Sequence, residues 1–120
     1  MKITLVIGLP ASGKTTYAKK LGGFLIDDPK HLDELPDVCE HLVIVDPFFC
    51  ILHILDNAIF KLKEKYGECD ITKIYFENDP DQCCNNADSR EEKHVKRFIK
   101  AVSFEYEPDN SCLVLPCYKK

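Results

Sequence analysis

A glycine-rich loop near the start of the chain restricts what this sequence can fold into more than any other feature. Residues 8–15 read GLPASGKT and match the pattern G-x-x-x-x-G-K-[ST] at every fixed position. Residues 3–7 before the loop are an apolar, β-branched run, and residues 14–21 contain no helix breaker before Gly22. The order strand, loop, helix lets backbone N–H groups and the positive end of a helix hold phosphate groups. The sequence therefore predicts a binding site for a nucleoside triphosphate.

The fixed positions of the loop have predicted tasks. Glycine at positions 8 and 13 permits backbone angles that a side chain would forbid. We expect Lys14 to reach the β- and γ-phosphates and the Thr15 hydroxyl to ligate magnesium. We therefore predict ATP and Mg²⁺ as cofactors, and the predicted nucleotide-binding residues are Gly8, Ala11, Ser12, Gly13, Lys14, Thr15 and Thr16. The alternative is a glycine turn with an incidental lysine, which the flanking pattern disfavours.

Length and composition indicate a single soluble domain. The chain has 120 residues, which fits one domain over residues 1–120, with 45% apolar and 30% charged residues. A net charge of −4 indicates no general attraction to nucleic acid, although a local basic groove is compatible with it. The segment before the loop is too short for a signal peptide, and no apolar run approaches the roughly 20 residues that span a bilayer. We expect a cytoplasmic protein without a membrane partner.

The cysteines are interpreted as reduced and mostly buried. Their number is odd and none forms a C-x-x-C pair; they are Cys39, Cys50, Cys69, Cys83, Cys84, Cys112 and Cys117. An odd set in a cytoplasmic protein favours free thiols over disulfides. The missing paired spacing disfavours a structural zinc site. Because several of them lie in apolar runs, we expect small buried hydrophobic side chains.

Two adjacent aspartates close the second apolar run. Residues 24–26 are followed by Asp27 and Asp28, and then by Pro29. Ligands of open parallel sheets collect at the carboxyl ends of the strands. Asp27 or Asp28 is therefore a candidate catalytic base for a substrate hydroxyl. The alternative is a polar cap for the turn that Pro29 opens.

A third aspartate closes the next apolar run. Residues 42–45 are followed by Asp46, which is the Walker B form. An aspartate at this position commonly holds magnesium together with the hydroxyl of the phosphate loop. We therefore predict Asp46 and Thr15 as metal ligands. Capping of the following helix by Asp46, with Pro47 at its first position, is compatible with that role.

The remaining pattern alternates between strands and helices. The predicted strands cover residues 2–7, 24–27, 42–46, 71–76 and 112–117. The predicted helices cover residues 14–21, about 47–66 and 89–104. The middle helix carries an apolar stripe of Phe48, Ile51, Leu52, Leu55, Ile59 and Leu62, and the last one starts with the capping box Ser89-x-x-Glu92. Residues 81–90 are rich in Asn, Asp and Cys and predict a mobile loop or a frayed helix.

Two arginines follow the predicted fourth strand. Of 16 lysine and arginine residues, only Arg90 and Arg97 are arginine. The planar guanidinium group suits the clamping of phosphate oxygens during phosphoryl transfer. Arg90 is the better candidate for a lid arginine because it is nearer to the predicted loop. Arg97 is the second candidate.

The loop residues GLPASGKTT, with their proline and their Ser-Gly-Lys core, resemble the phosphate loop of P-loop kinases of the polynucleotide-kinase type. Together with right-handed crossovers, the resemblance implies a three-layer α/β fold whose five-stranded parallel sheet has the order 2-3-1-4-5. It implies a catalytic base at Asp27 or Asp28, an acidic strand end at Asp46 and a lid arginine at Arg90. Residues 30–40 are shorter than the substrate arm of that family, so the chain is similar to compact stand-alone kinases such as those encoded by phages.

The sequence favours a kinase over two other functions. The leading hypothesis is the transfer of the γ-phosphoryl group of ATP to a hydroxyl of a nucleic-acid end, a nucleotide or a small metabolite, with Lys14, Asp27, Asp28 and Arg90 as the catalytic candidates. A nucleotide-binding regulatory module without turnover is the main alternative. A hydrolase or molecular switch is weaker, because no Asn-Lys-x-Asp stretch for guanine recognition is present.

Overall fold

Five parallel strands form the centre of the protein in a computed structural model that describes residues 1–27, 35–87 and 93–119. The strands are β1 (Lys2–Ile7), β2 (Phe24–Asp27), β3 (His41–Val45), β4 (Asp70–Phe76) and β5 (Leu113–Leu115). They lie in the order β2-β3-β1-β4-β5, and every neighbouring pair is parallel. This arrangement confirms the predicted fold class and strand order.

The connections between the strands carry the helices. These are α1 (Lys14–Lys19), a 3₁₀ turn (Pro47–Cys50), α2 (Leu52–Tyr66), α3 (Pro80–Ala87) and α4 (Lys93–Ser103). The chain leaves α1 through Gly22 and Gly23, whose φ angles are +72° and +86°. A side chain disfavours that left-handed region, so the glycine pair ends the helix as the sequence predicted.

The sheet is covered on both faces, which gives three layers. Alternate residues of a strand point to opposite faces, so Ile3, Leu5 and Ile7 of β1 belong to one apolar cluster and Val6 belongs to another. Buried side chains of α2, α3 and α4 pack into the first cluster, and Ala18 of α1 packs into the second. Double coverage explains why the strands read as continuous apolar runs.

The predicted helix over residues 47–66 is wrong in its first turn. The chain forms the 3₁₀ turn and then an extended residue, Ile51, before α2 begins at Leu52. The break turns Phe49 and Cys50 into the core, where both are buried. The predicted stripe is therefore only partly buried: Leu55 and Leu62 face the core, whereas Leu52 is 68% exposed.

The segment over residues 81–90, predicted as a mobile loop or a frayed helix, belongs to a regular helix, α3, as far as Ala87. Asp79 caps it, because its carboxylate accepts a hydrogen bond from the Gln82 N–H at 3.1 Å, and Pro80 occupies the first turn. Its buried side is made of Cys83, Asn86 and Ala87, which are small or polar. A hydropathy pattern does not mark such a stripe, so the sequence did not predict a regular helix here. The capping box at Ser89 and Glu92 lies outside the described residues.

The last strand is shorter than predicted. It was expected over residues 112–117 and covers Leu113–Leu115. Beyond it the Cys117 N–H donates to the Glu77 carboxylate at 2.9 Å, so this part of the chain bonds to a side chain instead of a neighbouring strand. Within the described ranges, no helix combines the length and the hydropathy that crossing a bilayer requires.

A buried tyrosine ties the end of α4 to the centre of the sheet. The Tyr106 ring is buried, and its hydroxyl donates to the backbone carbonyl of Phe76 at the end of β4. The same hydroxyl lies 3.3 Å from the carbonyl oxygen of Ile7 at the end of β1. Both carbonyls border the phosphate loop, so this contact supports the edge of the sheet at which the loop begins.

We predict that Tyr106→Phe lowers the free energy of unfolding by about 1–3 kcal/mol, because buried carbonyl oxygens lose a hydrogen-bond donor. Urea denaturation measures the change. The matched control is Tyr118→Phe, which removes the same hydroxyl from an exposed ring and should change stability by less than about 0.5 kcal/mol. A loss for Tyr106→Phe no larger than that of the control would contradict the supporting role.

Candidate functional site

The register of the sheet brings the predicted site residues to one edge. Val45 of β3 pairs with both Val6 of β1 and Asp27 of β2. The loop that follows β1, the Asp27 carboxylate and Asp46 therefore all lie at the carboxyl ends of three adjacent strands. Parallel sheets bind their ligands at this edge.

Close packing under the phosphate loop requires glycine at position 8. A Cβ atom at Gly8 would lie 2.8 Å from Ser12 Oγ, 2.9 Å from Phe76 Cβ and 3.3 Å from Lys14 Cδ. The φ angle of Gly13 is +102°, and a Cβ there would meet the Cβ of Tyr118 at 2.9 Å. Lack of space for a Cβ atom requires glycine at position 8, whereas the backbone angle and the lack of space together require it at position 13.

Lys14 lies beneath the loop and is only 6% exposed. Its ammonium group donates to the backbone carbonyl of Leu9 at 2.7 Å, which folds the side chain against its own loop. Burial lowers the pKa of Lys14 from its usual value, and four nearby groups oppose that shift: Cys50, Cys83, Asp27 and Asp46. A cationic side chain with neighbouring carboxylates is thus held where phosphate oxygens were predicted.

Thr15 contacts Asp27 directly. The Thr15 hydroxyl donates to the Asp27 carboxylate at 3.0 Å, and Asp27 is exposed at the end of β2. The sequence had predicted Thr15 and Asp46 as metal ligands and Asp27 or Asp28 as the base for the acceptor hydroxyl. The observed hydrogen bond joins a predicted metal ligand to one of the two candidate bases, so Asp27 lies beside the predicted metal position as well.

Asp46 is buried at the end of β3 and caps the 3₁₀ turn. Its carboxylate accepts a hydrogen bond from the Phe48 N–H at 2.9 Å, as the capping interpretation predicted. The cap also fixes the carboxylate at the edge of the sheet, where it is close enough to Lys14 to oppose the lowering of the Lys14 pKa by burial. Capping and a role in metal binding are therefore geometrically compatible.

The loop and the neighbouring strand ends carry groups that fit a bound triphosphate and its metal ion. Ser12 Oγ is fully buried, and within the described residues it has no hydrogen-bond partner. A buried hydroxyl without a partner is unfavourable, so a ligand oxygen would satisfy it. The oxygen atoms of Thr15, Asp27 and Asp46 are donors that suit Mg²⁺, which is commonly held by one or two carboxylates and by substrate phosphates. The residues present therefore fit both the nucleotide and the metal.

The other predicted site residues lie in different surroundings. Ala11 has a φ angle of +65°, which is unusual for a residue with a side chain. Thr16 and Arg97 are exposed on α1 and α4. Asp28 and Arg90 lie outside the described residues.

Three further residues contact the loop that the sequence analysis did not assign to the site. The side-chain amide of Asn86 donates to the Ala11 carbonyl, and the Tyr118 N–H donates to the Ser12 carbonyl. Burial raises the pKa of the Cys50 thiol, and Lys14 and the Gly8 backbone lie close enough to oppose that rise. No pattern around Tyr118 or Cys50 marks them, because they reach the loop only through the tertiary fold.

We predict that Gly8→Ala destabilises the protein by about 1–3 kcal/mol and abolishes measurable ATP binding, because the added methyl group occupies the space between Ser12 and Phe76. Thermal unfolding and titration calorimetry measure the two effects. Gly67→Ala is the matched control: it lies at the end of α2 at a φ of +71° with open space around its Cβ position, so it should cost stability without affecting ATP binding. Equal ATP affinity in the Gly8→Ala variant would refute the close packing.

The thiol of Cys50 should make stability depend on alkaline pH. Burial raises the pKa of Cys50 from 9.0 to about 12, while Lys14 and a hydrogen bond with the Gly8 backbone act in the opposite direction. Because the folded pKa lies above the unfolded one, the stability contribution is fully present below pH 9.0 and is lost as pH rises toward about 12. Urea denaturation across this range should show a shallower decline for Cys50→Ala than for the natural chain. Equal declines in stability for Cys50→Ala and the natural chain would contradict a raised pKa of the Cys50 thiol.

Comparisons with known proteins agree with this architecture. No protein-family model matches the chain. An uncharacterized protein of Acanthamoeba polyphaga mimivirus is 28% identical over 120 aligned positions, which cover 88% of this chain and 86% of the viral protein. A solved structure, a gluconokinase from Sinorhizobium meliloti 1021, superposes with a TM-score of 0.65 at 11% identity and covers 99% of this chain and 84% of the gluconokinase chain. The chain therefore shares its fold with this gluconokinase, and the likeness does not single out the polynucleotide-kinase type.

Proposed function

We propose that this protein is an ATP- and Mg²⁺-dependent kinase that transfers the γ-phosphoryl group to a hydroxyl acceptor. The observation that carries the proposal is the buried Lys14 beneath a glycine-rich loop, with the Thr15–Asp27 pair at the same edge of the sheet. A cation, a hydroxyl and carboxylates next to a phosphate cradle are the groups that phosphoryl transfer uses. The likeness to a structure named as a kinase supports the same reaction type.

The residues present account for each part of the reaction. The acceptor oxygen forms a bond to the γ-phosphorus while the bond from that phosphorus to the bridging oxygen breaks, and ADP leaves. Asp27 takes the proton of the acceptor hydroxyl, and Lys14 stabilises negative charge on the phosphate oxygens. Thr15 and Asp46 would hold Mg²⁺, which would neutralise further charge on the phosphates. Arg90, the predicted lid arginine, would add a further positive charge for the phosphates.

The acceptor is proposed to carry a neutral hydroxyl. A carboxylate beside the reacting phosphate serves an acceptor that must lose a proton, whereas a phosphate acceptor is already ionised at neutral pH. A polynucleotide 5′-hydroxyl, a nucleoside or modified nucleotide, and a small metabolite all meet this condition. A sugar acid belongs among the metabolites to test because the structural neighbour is named a gluconokinase. With a net charge of −4, binding of a polynucleotide should depend only weakly on salt.

The proposal is tested by transfer of radiolabelled γ-phosphate from ATP to 5′-hydroxyl oligonucleotides, nucleosides, modified-base DNA, gluconate and nucleoside monophosphates. We predict that Lys14→Ala lowers transfer by about 100-fold or more, because a cation is lost from the phosphate cradle. Lys19→Ala, which removes an exposed lysine at the end of the same helix, is the matched control and should leave transfer unchanged. Native turnover in the Lys14→Ala variant would refute the kinase.

A second variant separates the two possible tasks of Asp27. Asp27→Asn keeps an oxygen that can accept the Thr15 hydrogen bond and removes the base. If Asp27 takes the proton, transfer falls by about 100-fold or more and added Mg²⁺ does not restore it. Restoration by Mg²⁺ would assign Asp27 to the metal instead. ATP binding with no transfer to any acceptor, in both the natural chain and the variant, would favour the regulatory binding module.

A further inference from the structure

One side chain joins the phosphate loop to two distant segments. Asn86 lies near the end of α3 and is 8% exposed. Its amide nitrogen donates to the Ala11 carbonyl at 2.9 Å and to the Tyr118 carbonyl at 2.7 Å. Its amide oxygen accepts a hydrogen bond from the Gln82 side chain at 3.1 Å, one turn earlier on α3. The helix, the loop and the C-terminal segment therefore meet at Asn86.

The C-terminal segment also forms a hydrogen bond with Ser12, the next residue of the loop. The Tyr118 N–H donates to the Ser12 carbonyl at 2.9 Å. The preceding residue is itself anchored, because the Cys117 N–H donates to the Glu77 carboxylate at 2.9 Å. Two successive carbonyls of the loop, those of Ala11 and Ser12, are thus held from the side on which α3 and the C-terminal segment lie.

Holding these carbonyls also sets the direction of the following N–H groups. The described chain contains no cis peptide bond, and in a trans peptide the C=O and the N–H point in opposite directions. The Ser12 N–H therefore points into the loop, where it donates to the Leu9 carbonyl at 3.2 Å. By the same geometry the Gly13 N–H points away from Tyr118. Backbone N–H groups turned toward a common centre form an anion-binding concavity.

The backbone of the loop needs such support at Ala11. This residue has a φ of +65°, a left-handed conformation that disfavours a side chain. Strained residues persist where surrounding contacts hold them. The hydrogen bond from Asn86 acts on the carbonyl of this residue, so it restrains the strained position directly.

We propose that Asn86 is a positioning residue of the phosphate site: it holds the Ala11–Ser12 peptide, whose N–H is bonded within the loop to Leu9, and thereby keeps the loop in the shape that binds the triphosphate. The inference rests on the proposed function, in which the loop binds a triphosphate. Asn86 acts through the loop and does not touch the ligand. Its effect is therefore on the affinity for the phosphate groups, and this effect does not depend on the nucleobase or on the acceptor.

Two substitutions of Asn86 test the proposal. Asn86→Leu is close in size and removes the donor without adding charge, and Asn86→Asp places carboxylate oxygens against two carbonyl oxygens. Both should weaken the binding of ATP and of inorganic tripolyphosphate to a similar degree, by about 10-fold or more, since a buried donor to the loop is lost. Asn85→Asp is the matched control, because Asn85 is the exposed neighbour on the same helix, and it should change either affinity by less than about twofold.

Titration calorimetry separates positioning from support of folding. A positioning residue changes the dissociation constant at unchanged stoichiometry, whereas a residue needed only for folding lowers the stoichiometry and leaves the dissociation constant of the folded fraction unchanged. The first result supports the proposal and the second overturns it. Natural affinity in both Asn86 variants also overturns it while leaving the kinase proposal intact. If the natural chain binds neither ATP nor tripolyphosphate, the proposed function fails and this inference fails with it.

Discussion

The architecture depends on the burial of β1 on both faces and its pairing on both edges. Residues 3–7 are buried, and the strand pairs with β3 on one side and with β4 on the other. A strand in this position needs a helical layer above and below the sheet, because both sets of its side chains must leave water. The chain continues from the carboxyl end of this strand into the glycine-rich loop. The phosphate loop is therefore placed at the edge where the neighbouring strands end in carboxylates.

The buried ammonium group of Lys14 determines which groups must surround it at this edge of the sheet. A buried ammonium group is unfavourable unless hydrogen bonds and opposite charges compensate it. Here the Leu9 carbonyl accepts its hydrogen bond, and Asp27 and Asp46 lie close enough to favour the charged form. Those two carboxylates come from different strands. The parallel register thus supplies part of the compensation, and the same groups surround the position predicted for the phosphates.

Local patterns predicted those parts of the chain in which short-range physics decides the structure. The loop needs glycine at positions 8 and 13, and the strand needs a continuous apolar run, so both are visible in the sequence. The break at Ile51 is not visible, because it follows from turning Phe49 and Cys50 into the core. The helix α3 was also missed as a regular element. Its buried side includes the polar Asn86, which donates hydrogen bonds to backbone carbonyls 75 residues earlier and 32 residues later in the chain.

The sequence by itself determined the phosphate loop, the parallel sheet and the presence of Asp27 and Asp46 at strand ends, because glycine requirements and apolar periodicity act over a few residues. Only the tertiary structure decided which groups meet. It paired Thr15 with Asp27, buried Cys50 near Lys14 and brought Asn86 and Tyr118 to the carbonyls of the loop. These contacts join residues far apart in the chain. They depend on how the layers pack, and no local pattern records that.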